Sequence, residues 1–145
     1  MDERHIEATR EAGAALFRRN IPGEVVMLNL LKFREIADYS DFPKLRPEKP
    51  ISGREAYQKY IDHTLPFLTA SGGSVVFLGE GGSYLIGPEG AGWDLVLLVR
   101  QKSLAAFMEF ASNEAFQAGM GHRTAALEDS RLLPLVEYRE GQRIV

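Results

Sequence analysis

Glu24-Val-Val-Met-Leu-Asn-Leu-Leu-Lys-Phe-Arg34 is the stretch that decides the fold. It holds no Gly or Pro and is dense in Val, Leu and Met, which predicts a strand. Side chains alternate along a strand. Val25, Met27, Asn29, Leu31 and Phe33 therefore share one face, and Val26, Leu28, Leu30, Lys32 and Arg34 share the other. Both faces are apolar, so both require cover. Residues 93–100, Trp-Asp-Leu-Val-Leu-Leu-Val-Arg, carry the same double-faced pattern.

Outward from these strands the chain alternates element types. Ser52-Gly-Arg-Glu55 is a capping box, and it opens a helix over 53–71. Tyr57, Tyr60, Ile61, Thr64, Leu65 and Leu68 form its stripe. Gly72-Gly73 ends it, and Pro66 predicts a kink or a loosened turn near Asp62. Pro43, Pro47 and Pro50 make 35–52 a long loop, either functional or disordered. Residues 74–79 and 83–87 read as short strands, or as one strand broken at Gly81-Gly82. Ser103 caps a helix over 104–111, and Asn113 caps a second over 114–128. Glu128 and Asp129 then sit at a helix end, where acids oppose the dipole and should pair with Arg123, Arg131 or a second subunit. Residues 132–138 form the last strand, where Pro134 predicts either an edge strand or a bulge. A peripheral helix over 3–19 precedes everything, stopped by Asn20-Ile-Pro-Gly23.

The order is a helix followed by β-α-β-β-α-β. That is an α+β, ferredoxin-like arrangement with an antiparallel four-stranded sheet. It predicts one domain over 1–145, with a helical extension at 1–22 and the α/β domain proper at 23–139. Two main helices cover only one face of a four-stranded sheet. The other face would expose more apolar surface than a monomer usually tolerates. The expectation is a homodimer packed sheet face to sheet face, forming a dimeric α/β barrel. The alternative is that helix 3–19 or loop 35–52 folds back over that face.

Composition narrows the function classes. The 145 residues hold 17 Lys+Arg, 20 Asp+Glu, three His and no Cys, for a net charge of −3. A balanced, half-apolar chain is not a disordered tail. Without cysteine there are no disulfides and no thiolate metal sites. The acidic balance argues against a nucleic-acid partner. The start, Met1-Asp2-Glu3-Arg4-His5, has no apolar signal core, and no apolar run approaches the ~20 residues of a membrane helix. A cytoplasmic protein is the default expectation.

Four stretches, Asn29–Arg34, Ser52-Gly-Arg-Glu-Ala-Tyr57, Trp93-Asp94 and His122-Arg-Thr-Ala-Ala-Leu-Glu-Asp-Ser-Arg-Leu132, together resemble a bacterial domain-of-unknown-function family. That family lies in the dimeric α/β-barrel superfamily. The resemblance covers about residues 24–138. It implies the same fold and a homodimer, and it implies no agreed reaction. Wider relatives, among them cofactor-independent monooxygenases and muconolactone isomerases, place their sites in a cleft between sheet and helices.

The candidate residues each carry two readings. Asn29, polar on an apolar face, is either a ligand contact or a structural hydrogen bond. His63 and His122 are either general acid–base groups or solvent-facing and capping histidines. Tyr57, Tyr60 and Trp93 line an aromatic pocket or pack the core. Arg100 and Arg123 hold an anionic or enolate oxygen, or pair with nearby carboxylates. Three scattered histidines without ligand spacing predict no metal. The glycine segments lack the phosphate-binding patterns, so no cofactor is expected. Three functions remain. The first is a cofactor-independent enzyme, monooxygenase- or isomerase-like, acting on a small organic acid or phenol. The second is a non-catalytic small-molecule-binding or sensing dimer. The third is a structural or interaction dimer.

Overall fold

The computed structural model describes residues 4–144. Helix α1 spans Arg10–Arg18, strand β1 Val25–Phe33, helix α2 Gly53–Ala70, strands β2 Ser74–Ser83 and β3 Gly92–Gln101. Helices α3 Leu104–Ser112, α4 Glu114–Gln117 and α5 Met120–Ala126 lead into strand β4, Leu127–Leu135. The sheet order is β2-β3-β1-β4 with every pair antiparallel. With helices after β1 and β3, this is the ferredoxin-like topology expected of the sequence. The two double-faced apolar strands, β1 and β3, are the central ones.

The helices cover one face. Val25, Met27 and Leu31 of β1, Leu97 of β3 and Ser130 of β4 are buried beneath them. Tyr57 and Ala56 of α2 and Ala125 and Ala126 of α5 join Leu31 and Leu127 in the core. Gly53 makes the joint between these layers. Its N–H bonds Arg34 O at 3.0 Å, and Arg34 N–H bonds Ala126 O at 2.9 Å. A Cβ at Gly53 would stand 2.5 Å from Ala126 O and closer still to Arg34 O. Only glycine lets the end of β1, the start of α2 and the end of α5 meet.

Among the described residues the opposite face has no comparable cover. Val26, Leu28 and Leu30 pair with Arg100, Leu98 and Val96 of β3 and with Leu135, Leu133 and Arg131 of β4. None of these residues is fully buried. Toward the edges Phe77 is 53% exposed and Leu133 54%. Loop 35–52 does not fold over this face. It lies on the helix layer, where Asp38 N–H bonds Ala125 O at 2.9 Å and Phe42 and Leu45 press against Gly121. No residue of helix α1 is itself buried.

Several boundaries differ from expectation. The first helix begins at Arg10 behind a Thr9 cap rather than at residue 3, which lies outside the described residues. Residues 4–6 instead run against β4. Arg4 donates to the carbonyls of Leu127 and Glu128, and His5 N–H donates to Asp129. Residues 83–87 form no separate strand. β2 is continuous through Gly81-Gly82, its irregularity falls between Val75 and Phe77, and a Cβ at Gly81 would collide with Trp93 O. The expected helix 114–128 is two pieces broken at Gly119. The last strand starts at Leu127, not 132, because β4 begins pairing with β1 at Phe33↔Leu127. Glu128 and Asp129 are therefore strand residues, and Asp129 meets Arg131 at 2.7 Å. Pro134 does sit on an edge strand. Helix α2, Gly53–Ala70, holds Pro66 within it, as the 53–71 reading expected.

Candidate functional site

Helices α2 and α5 divide the predicted site residues into two groups. His122 and Arg123 are neighbours on α5, so their side chains diverge by about 100°. His122 turns toward the loop and Arg123 toward the tyrosines of α2.

The inner group lies beneath α2. The Tyr57 and Tyr60 ring centroids are 5.3 Å apart, and Tyr57 packs on Phe33 at 5.5 Å. Burial pushes both phenols above the ordinary tyrosine range, and the nearby Arg123 guanidinium partly offsets this in each. Arg123 is held by the Ile6 carbonyl at 2.6 Å. One helical turn beyond Tyr60 is Thr64. Its Oγ1 is buried and has no hydrogen-bond partner among the described residues. It lies close enough to the Tyr60 hydroxyl to help stabilise the phenolate, but no hydrogen bond of good geometry joins them. Asn29, central on the covered face, donates from Nδ2 to the Met27 and Leu97 carbonyls at 3.2 and 3.3 Å. The first bond stays within β1, and the second ties β1 to β3.

The outer group lies on the seam between α2, α5 and the loop. Tyr39 Oη and His122 Nδ1 are 2.7 Å apart. Burial, then Lys59, then His63 push the His122 pKa below the ordinary histidine value, so the imidazole is neutral at physiological pH. His63 Nε2 reaches the Ala115 and Phe116 carbonyls at 2.9 and 3.1 Å. Two carbonyl acceptors require that this nitrogen carry the proton. His63 thus pins α4 to α2, and its ring lies where a Gly119 Cβ would be.

Two predicted residues join neither group. The Trp93 indole N–H donates to Tyr84 Oη at 2.6 Å, with the Arg131 guanidinium over its ring at 5.2 Å. Arg100 pairs with Glu24 at 3.4 Å, near the start of β1 and away from Phe33 and the tyrosines. Sequence reasoning did not single out Tyr39 or Thr64. Tyr39 gave no local signal, since its partner is 83 positions away. Thr64 was visible only as a polar position on an apolar helical stripe. Among the described residues no group of three or more His, Cys, Asp or Glu could hold a metal ion.

No protein-family model matches the chain, and no curated protein matches it. Among solved structures, the methylated RPA0582 protein is 34% identical with a TM-score of 0.85, over 96% of this chain and 98% of that chain. A second structure of RPA0582, described as a protein of unknown function from Rhodopseudomonas palustris, is 34% identical with a TM-score of 0.84, over 94% and 99%. A dimeric ferredoxin-like protein of unknown function from Thermobifida fusca is 10% identical with a TM-score of 0.46, over 79% and 92%. The likeness to RPA0582 runs almost end to end in both sequence and fold. The chain belongs to the family of the Rhodopseudomonas palustris RPA0582 protein, a family of unknown function built on a ferredoxin-like fold.

Proposed function

We propose that the protein is a homodimer, joined through its open sheet face, that binds a small organic acid or phenol between its sheet and its helices. The inner group of Tyr57, Tyr60, Thr64 and Arg123 forms the binding site. The observation that carries this reading is the buried Thr64 hydroxyl beside Tyr60, which makes no hydrogen bond of good geometry among the described residues. Such a group costs about 1–3 kcal/mol. A ligand oxygen beside it removes that cost. Both phenols stay neutral O–H donors because burial raises their pKa, and Arg123 brings a permanent positive charge. Neutral donors beside a guanidinium complement a carboxylate or phenolate.

Self-association is supported by the apolar strip Val26, Leu28, Leu30, Val96 and Leu98, which the described residues leave only partly buried. Among the described residues no helix is long and apolar enough to cross a membrane. The lack of cysteine suits a reducing compartment, and the cytoplasm is proposed.

A second reading, a proton-transferring enzyme, is favoured by the Tyr39–His122 pair, because a positioned neutral imidazole is a competent base. Calorimetric titration with benzoate and with phenol tests the binding reading. Arg123→Gln should weaken binding about tenfold, and equal affinity in the variant would overturn it. Solvent deuterium exchange into enolisable acids tests the enzyme reading, which requires exchange that His122→Ala abolishes.

A further inference from the structure

The loop over 35–52 is neither disordered nor featureless. Its ends are tied by Ala37 N–H to Ile51 O at 2.9 Å, and Asp38 N–H fastens it to α5. Three prolines fix much of its backbone. Between these ties the loop borders an open, solvent-filled depression of about 470 Å³. That volume falls within the usual range for small-molecule sites.

The walls have two characters. Ile36, Pro43, Pro47, Pro50 and Ile51 are apolar, and Arg46, Lys49 and Glu48 are charged. The local balance is one net positive charge on a protein whose overall charge is −3. Ile36 is 58% exposed. Tyr39 also belongs to the wall. It is almost fully buried, and its hydroxyl is held by His122.

We propose that this hollow is a second binding site, separate from the Tyr57–Arg123 group, and that it takes a small amphipathic carboxylate. The apolar body rests on Ile36, Ile51 and the prolines, and the carboxylate faces Arg46 and Lys49. Exposed cations favour such a ligand weakly, so binding is in the fragment range.

The test is a nitrogen–proton NMR titration of the full chain with benzoate and hexanoate, and with benzamide and hexanamide as uncharged controls. The acids should shift amides across residues 36–51, with the amides at least about fivefold weaker, and Arg46→Ala with Lys49→Ala should weaken the acids about tenfold. Both positions are exposed, so the variant keeps its fold. No shift in 36–51 up to about 10 mM, equal binding of acids and amides, or an indifferent double variant would each overturn the proposal. Shifts at Tyr57, Tyr60, Thr64 and Arg123 report the inner site independently, so either site can fail without the other.

Discussion

Tyr39 Oη stands 2.7 Å from His122 Nδ1, joining the long loop to helix α5 across 83 positions of sequence. Tyr39→Phe removes this bond while keeping the ring. The expected cost is about 0.5–1.5 kcal/mol, measured by urea unfolding. Faster amide exchange should be confined to the loop and α5.

The same imidazole sets a pH dependence. Its folded pKa lies below the ordinary value of 6.5, chiefly through burial. The unfolded chain therefore binds this proton more tightly. Stability should rise with pH across the interval between the lowered pKa and 6.5, and fall as the pH drops through it. His122→Gln should remove that slope from a series of unfolding curves. An unchanged slope would assign it to other groups.

Gly119→Ala tests the packing of His63. A Cβ there would stand 2.6 Å from the imidazole Cγ and 2.8 Å from Nε2. The ring must shift and loosen its bonds to Ala115 O and Phe116 O, at about 1–3 kcal/mol. In a double-mutant cycle with His63→Ala most of that penalty should disappear, because the obstacle is gone.

Much of the fold was legible because its signals were local. The capping box Ser52–Glu55 closes as spaced, with Glu55 N–H on Ser52 Oγ at 3.0 Å and Ser52 N–H on Glu55 Oε1 at 2.9 Å. The two-faced pattern of 24–34 placed β1 at the centre of the sheet. The start of β4 was not legible, because Leu127 fits the stripe of Phe116, Met120 and Thr124 as well as it fits a strand. Its pairing with Phe33 decides the matter, and that contact is tertiary. The candidate residues were legible as residue types, and their grouping was not. Tyr57, Tyr60 and Arg123 do come together, whereas Trp93 and Arg100 have partners, Tyr84 and Glu24, that spacing cannot reveal.

Thr64→Val separates a binding hydroxyl from an idle one. Without ligand, Val relieves an unpartnered buried oxygen, and stability should hold or rise by about 1 kcal/mol. Affinity for phenol or benzoate should fall. A destabilised variant with unchanged affinity would remove Thr64 from the site.

Native mass spectrometry of the full chain tests the central claim most directly, since one spectrum reports both assembly and occupancy. The prediction is a species at twice 16.2 kDa that carries a small-molecule adduct lost in Arg123→Gln, with Leu28→Glu on the open face giving a folded monomer. A wild-type chain that stays at 16.2 kDa at micromolar concentration would contradict the dimer, and a dimer that never carries the adduct would contradict the site.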